Sequence, residues 1–250
     1  MFNRSEKPFT GIRRSMQRWA ERSIDALLFT SEEFGEEWLQ QGNIKDPKKI
    51  HAVMHGSSSF KPGDRTAAKT KIAITGAPIF LWVGRLNKNK DPLTVVKAFA
   101  EFIKFNAQAR LFMIFQTEEL LEELKQITAT VPAIQLIGKI DHRQLQDWYN
   151  AADFFISSSH YEGGGIAVCE AMSCGCIPIV TDIISFRKMT GQGKAGFLYA
   201  PGDEAAFLKT LLKATEINIE EQRKKVLMQF NNELSFEAIA KKIENVIGNI

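Results

Sequence analysis

From Ile79 onward the chain alternates two textures. Short apolar runs stand at Ile79–Val83, Leu111–Phe115, Ile134–Ile137, Asp153–Ser157 and Ile177–Val180. Runs this short, with few polar positions inside them, read as strands buried on both faces. Between them apolar residues recur three and four apart. Leu93, Val96, Phe99, Ala100 and Ile103 mark one helix face, opened by Asp91 as N-cap with Pro92 behind it. Leu120, Leu121 and Leu124 mark another, Leu145, Trp148 and Tyr149 a third, and Ile166–Cys174 a fourth. A last face carries Phe207, Leu208, Leu211 and Leu212, with Asp203 as its cap. Repeated β-α-β units of this kind predict an α/β fold, a Rossmann-like doubly wound parallel sheet covered by helices on both faces. Such sheets take ligands at the carboxyl ends of their strands, near a topological switch point.

The front of the chain has the same texture but too little of it. A helix at Gly11–Ile24, a strand at Ala26–Thr30, a helix at Glu32–Gln40 and a strand at His51–Met54 make about two units. Two strands do not form a stable sheet alone. Gly56-Ser57-Ser58-Ser59-Phe60-Lys61-Pro62-Gly63 reads as a linker. Phe236, Ile239, Ala240, Ile243 and Val246 then predict one more amphipathic helix. The expected organisation is a partial N-terminal unit at 1–56, a Rossmann-like domain at 57–217, and C-terminal helices at 218–250 that pack back toward the N-terminal part.

Composition narrows the function classes. The 250 residues are 44% hydrophobic and 24% charged, and the net charge of +3 is too small to point to nucleic acid. No apolar run nears the roughly 18 residues of a membrane span. Met1–Thr10 has no apolar core of a secretory signal, so the expected location is the cytoplasm. Cys169, Cys174 and Cys176 fit no zinc spacing and read as packed thiols. Arg14, Arg18 and Arg22 recur every four residues, beside a different stripe of Ile12, Met16 and Trp19. That pattern reads as a solvated face, with peripheral contact to anionic lipid as the alternative.

Three places carry chemistry, each just after a strand. In Val83-Gly84-Arg85-Leu86-Asn87-Lys88-Asn89-Lys90-Asp91-Pro92, a glycine turns the backbone before Arg85 and Lys90. A planar fork of donors and a compact point charge together suit a diphosphate, although a solvated basic loop has the same appearance. In Ser158-Ser159-His160-Tyr161-Glu162-Gly163-Gly164-Gly165, three glycines precede the helix that carries Glu170. Glycines there let a ligand lie against main-chain amides at the positive end of a helix. A carboxylate at Glu162 would repel phosphate, so sugar hydroxyls are its natural partner. Val168 stands where a dinucleotide fingerprint needs its last glycine, which disfavours a nicotinamide cofactor. Gly138-Lys139-Ile140 is the third place, where backbone groups could meet the edge of a base. Ser157–Ser159 and His160 do not make a hydrolase, because no G-x-S-x-G elbow is present.

At this point the residues resemble a family. Glu162 to Glu170 has the E-x7-E spacing of retaining GT-B glycosyltransferases of the GT4 type, within a segment similar to that family's pattern from Glu162 to Val180. Val83-Gly84-Arg85-Leu86 with Lys90 is similar to its phosphate loop. Tyr149-Asn150-Ala151-Ala152-Asp153 and Gly196–Asp203 resemble two further segments. The resemblance runs from about Ala26 to the C-terminus and implies two Rossmann-like domains facing a cleft, with a nucleotide-diphosphate sugar held by the C-terminal one. It implies that Arg85 and Lys90 hold the diphosphate, Glu162 the sugar hydroxyls and Glu170 the ribose. It further implies that Gly163, Gly164, Gly165 and Ile166 face sugar and phosphate from their amides, that Gly84 turns the loop, and that Lys139 and Ile140 flank the base. No metal or cofactor is expected; the sequence has no Asp-x-Asp. Gly164 replaces a larger residue of the family pattern. Residues 1–56 correspond to a remnant of the acceptor domain, so His51 and His55 are not given the role of that domain's histidine. The expected partners are a nucleotide-sugar donor, a glycan or lipid acceptor, and either another copy of the chain or a missing N-terminal domain. The alternatives are a non-catalytic donor-binding subunit and, less well matched, a sugar-nucleotide epimerase.

Overall fold

The computed structural model describes residues 10–250. The first nine residues, on which the signal-free reading rests, and the side chains of Arg14 and Arg18 lie outside what is described; Arg22 is exposed. The chain divides into two compact units, one of residues up to His55 with Ile239–Ile250, the other Gly56–Ala238.

The first unit opens with α1 (Thr10–Glu21), β1 (Leu27–Phe29), α2 (Glu32–Gln40) and β2 (Ile50–Ala52). β1 and β2 pair in parallel, Leu27 opposite Ile50 and Phe29 opposite Ala52. Ser31 caps α2 by accepting from the Phe34 amide, and Glu32 and Glu33 sit at its positive end. Gly35 lets this helix lie directly on β2, since a Cβ there would fall 2.2 Å from Ile50 Cγ2. Glu21 is buried and accepts from the Lys45 amide at 2.8 Å. Trp38 lies edge-on to Phe29, ring centroids 5.7 Å apart. On α1, Met16 and Trp19 stay 65% and 73% exposed.

The second unit opens with α3 (Arg65–Lys71) and β3 (Ile79–Gly84), followed by α4 (Pro92–Phe102), β4 (Arg110–Phe115), α5 (Leu121–Thr128) and β5 (Ile134–Gly138). Then come α6 (Leu145–Ala151), β6 (Phe154–Ser157), α7 (Ile166–Ser173), β7 (Ile177–Thr181), α8 (Ile184–Met189), β8 (Phe197–Tyr199), α9 (Glu204–Ala214) and α10 (Ile219–Glu233). The last helix, α11 (Phe236–Ile247), begins in this unit and ends in the first. The six strands form one parallel sheet in the order β5-β4-β3-β6-β7-β8. The chain winds outward from β3 to β5, returns to β6 beside β3, and winds the other way. β3 and β6 therefore flank the switch point, and the α/β class expected from the apolar runs is the class observed.

Burial on both faces explains the runs. Ile79 to Trp82 in β3 and Phe154 to Ile156 in β6 are at most 2% exposed. Phe80 stacks on Phe154 at 5.0 Å and meets Phe99 and Phe102 of α4 edge-on at 5.3 and 5.4 Å. Four elements escape the apolar pattern. α3 buries only Ala68, α10 buries only Arg223, Val226 and Phe230, and α8 and β8 are too short to show a period. Asp153, at the start of β6, accepts from the Ile79 amide at 2.7 Å and pairs with Arg65, tying α3 to the opposite end of the sheet from the switch-point loops.

Residues 56–63 read by composition as a linker, yet they are docked against α6 and α7. Gly63 donates its amide to Asn150 Oδ1 at 2.7 Å, Asn150 Nδ2 donates to the Lys61 carbonyl at 3.1 Å, and the Ser58 and Ser173 hydroxyls lie 3.1 Å apart. Gly56 is pressed on the glycine turn, where a Cβ would fall 2.0 Å from the Gly164 carbonyl oxygen. The Gly63 amide, the Lys61 carbonyl and the Ser58 hydroxyl have thus found partners in the fold, while among the described residues the Ser57 hydroxyl is buried without one.

Candidate functional site

The loops after β3 and β6 meet at the switch point and are stitched together. The His160 amide donates to the Asn89 carbonyl at 2.8 Å, and the Asn89 side chain donates to the Tyr161 carbonyl while accepting from the Tyr161 amide, at 3.0 and 3.1 Å. Ser158 Oγ donates to the Lys90 carbonyl. Asp91 caps α4 from the left-handed region, at φ 43°, and also receives Thr94 Oγ1 at 2.8 Å and His160 Nε2 at 3.1 Å. A non-glycine residue with positive φ is costly, and these bonds hold it there. The result is a rigid frame for two charges, Lys90 and Glu162, which form an ion pair at 23% and 19% side-chain exposure. Arg85, on the same loop as Lys90, is exposed.

The glycine turn supplies main-chain donors. Gly165 is the N-cap of α7 with φ 57°, and its carbonyl accepts from the Val168 and Cys169 amides. A Cβ at Gly165 would meet Met189 Sδ at 2.7 Å, so both conformation and space require glycine. Among the described residues the amides of Gly163, Gly164 and Gly165 have no hydrogen-bond partner. Ser185 Oγ donates to the Glu162 carbonyl, and Thr181 Oγ1 to the Ser159 carbonyl at 2.6 Å, so β7 and α8 brace the turn from below.

Glu170 lies on the second turn of α7, 5% exposed. Its Oε2 accepts from the Tyr149 hydroxyl at 2.9 Å, and its Oε1 lies 2.5 Å from His142 Nε2. Burial, and then the Glu170 charge beside it, push the Tyr149 hydroxyl well above its ordinary value, so it remains a donor. His142 follows Gly138-Lys139-Ile140 at the carboxyl end of β5, where Lys139 is exposed and Ile140 half-buried. Its ring lies against Phe60, centroids 5.1 Å apart.

The residues singled out for the site therefore fall at the carboxyl ends of β3 and β5, on the loops after β3, β5 and β6, or on α7. Two partnerships were not visible in the sequence. Tyr149 reads there as a helix marker and as the start of a family-like segment, with no role given to it, and His142 carries no signal at all; the requirement that a buried carboxylate be satisfied is what points to both. The three cysteines are fully buried. Burial pushes the Cys169 and Cys174 thiols up to about 12 and Cys176 higher still, which makes them inert packing groups. Among the described residues no helix is long and apolar enough to cross a membrane.

Comparison with known proteins identifies the fold and the family. A D-inositol 3-phosphate glycosyltransferase of Catenulispora acidiphila is 27% identical over 186 residues, which are 68% of this chain and 44% of that protein. A GDP-mannose:cellobiosyl-diphosphopolyprenol alpha-mannosyltransferase of Xanthomonas oryzae is 27% identical over 176 residues, 69% of this chain and 44% of that one. The chain thus spans under half the length of these relatives. Among solved structures, sucrose-phosphate synthase from Thermosynechococcus elongatus superposes with a TM-score of 0.74 at 21% identity, covering 94% of this chain and 61% of that one. The HepE protein of Anabaena, in complex with UDP and glucose, gives 0.74 at 14% identity, covering 95% and 68%. Both share the fold, which is that of GT-B glycosyltransferases. Residues 64–227, containing the frame around Lys90 and Glu162, match the family described as glycosyl transferases group 1, and the chain belongs to that family.

Proposed function

We propose that this chain holds the donor site of a retaining glycosyltransferase and binds a nucleotide-diphosphate sugar without a metal ion. The observation that supports this most directly is the Lys90–Glu162 pair at the switch point, beside three unpartnered amides at the start of α7. A diphosphate would take Lys90 and the exposed Arg85, and would release the Glu162 carboxylate to accept from sugar hydroxyls. The amides of Gly163, Gly164, Gly165 and Ile166 would carry the remaining phosphate charge, the work elsewhere done by a divalent cation. Glu170 would accept from the ribose, with Lys139 and Ile140 beside the base. In transfer with retention, the acceptor oxygen bonds to the anomeric carbon on the face from which the diphosphate departs. The acceptor proton passes to an oxygen of that leaving group.

On this reading residues 1–56 are part of an acceptor domain. The acceptor on this reading is a glycan or a lipid; one relative is named for a polyprenol-linked disaccharide, and another for an inositol phosphate, which is neither. The setting is cytoplasmic, with the exposed apolar residues of α1 available to a membrane surface. A second reading is a donor-binding subunit that transfers sugar only with a separate acceptor domain. Calorimetry with UDP, GDP and ADP, with and without EDTA, tests the donor site. Heat with one of them that survives EDTA is expected, and binding by none, or only with added Mg²⁺, would reject it. Transfer to an acceptor by this chain alone would reject the subunit reading.

A further inference from the structure

Glu170 is held by two donors of different kinds. Tyr149 is wholly buried on α6, and its hydroxyl has no route away from Oε2. His142 is on the solvent side: its side chain is 67% exposed while its Nε2 reaches Oε1 at 2.5 Å. A carboxylate accepts only, so this nitrogen carries the hydrogen and donates. The charged neighbours of His142 are already committed to each other. Arg143 grips Asp141 through Nε and Nη2 at 3.0 and 2.9 Å, leaving Glu170 as the carboxylate that the imidazole meets. Phe60 lies against the ring from the other side, tilted by 31°. One oxygen of a buried acid is thus covered by a permanent partner, and the other by a side chain that solvent can reach.

We propose that His142 is a specificity-determining residue whose imidazole stands in for a nucleoside hydroxyl on Glu170. This rests on the reading of Glu170 as the ribose-binding group. An ionised carboxylate buried without a donor is costly, so the empty site needs a placeholder. A ribonucleoside brings hydroxyl donors, displaces the imidazole, and leaves the carboxylate satisfied. A ligand without those hydroxyls has nothing to exchange and leaves His142 in place. The swap makes the ribose contact worth only the difference between two hydrogen bonds, which moderates affinity while keeping the preference for ribonucleotides. Tyr149 stays on Oε2 in both states and fixes the carboxylate plane.

The test uses the whole chain and calorimetry with three probes: the nucleoside diphosphate that binds the wild type, its 2′,3′-dideoxy analogue, and inorganic pyrophosphate. His142→Ala removes the competitor and should tighten the ribonucleotide by ~10-fold, the worth of about one hydrogen bond. The dideoxy analogue and pyrophosphate should bind the variant as they bind the wild type. His142→Gln keeps a donor and should return ribonucleotide affinity toward the wild-type value. A purely structural histidine would give the opposite sign, weaker binding of all three probes on truncation. Ribonucleotide affinity that is unchanged or weakened in His142→Ala, while Glu170→Gln weakens it, overturns the placeholder and leaves the ribose reading intact. If Glu170→Gln also has no effect, or no nucleoside diphosphate binds, the ribose reading falls and the placeholder with it.

Discussion

The two carboxylates should fail in different ways when each becomes an amide. Glu162→Gln removes the charge paired with Lys90, and Glu170→Gln removes the acceptor shared by Tyr149 and His142. If Glu162 reads the sugar, its amide should weaken the nucleotide-sugar, at a cost of about 1.5–3 kcal/mol for a hydrogen bond to a charged group, or roughly 10- to 150-fold in Kd. The free nucleoside diphosphate should be spared or bind more tightly, because Lys90 no longer has a carboxylate competing with phosphate. Glu170→Gln should weaken nucleotide and nucleotide-sugar alike by a similar factor, since both carry the ribose. Its amide can still accept from Tyr149, but one of its ends must then turn a donor toward His142 Nε2, so some loss of thermal stability should accompany the loss of affinity. The assay is titration calorimetry of both variants with the free nucleotide and with its sugar conjugate, plus a melting curve for each protein. Equal losses for both ligands in both variants would refute the division of labour, and weaker binding of free nucleotide by Glu162→Gln would refute competition for Lys90.

Three further outcomes follow from the same geometry. The buried thiols resist ionisation when folded but ionise near 9 when unfolded, so their contribution is complete below about pH 8.5 and is lost as pH rises toward about 12. With three thiols the slope reaches about 4 kcal/mol per pH unit at most; urea unfolding between pH 8 and 11 should show it, and an unchanged slope in the Cys→Ala triple variant would count against it. Gly165→Ala forces a side chain into φ 57° and against Met189, costing about 1–2 kcal/mol for the backbone alone; the melting temperature should fall, and should recover only in part with Met189→Ala. The exposed Met16 and Trp19 on α1 should drive self-association; light scattering should show Trp19→Glu shifting the chain toward monomer, and a wild-type monomer at all concentrations would reject this.

Much of the fold was legible because parallel strands buried on both faces must be continuously apolar; β3, β4, β6 and β7 announce themselves that way, and edge strand β5 keeps three apolar positions around an exposed Gln135. Charge and glycine after a strand then marked Arg85, Lys90, Glu162 and the turn at 163–165, since ligand sites of such sheets fall at strand ends. Elements with little apolar burial were silent for the same reason. α10 shows three buried positions in fifteen residues, and α3 one in seven. Residues 56–63 have the composition of a linker, and nothing local in Gly-Ser-Ser-Ser records that Asn150 and Ser173 wait on α6 and α7 to bond with it.

The sequence by itself determined the class of fold, the order of its strands and helices and which loops the proposed donor site falls on, because periodicity and strand-end position are local properties of the chain. Only the tertiary structure decided what each charge does. Lys90 meets Glu162 across 72 residues, and Glu170 meets Tyr149 and His142 across 21 and 28. Those pairings arise because the sheet sets the ends of β3 and β6 side by side and the fold packs α6 and the loop after β5 near α7, and a buried carboxylate takes whichever donors that packing places within reach.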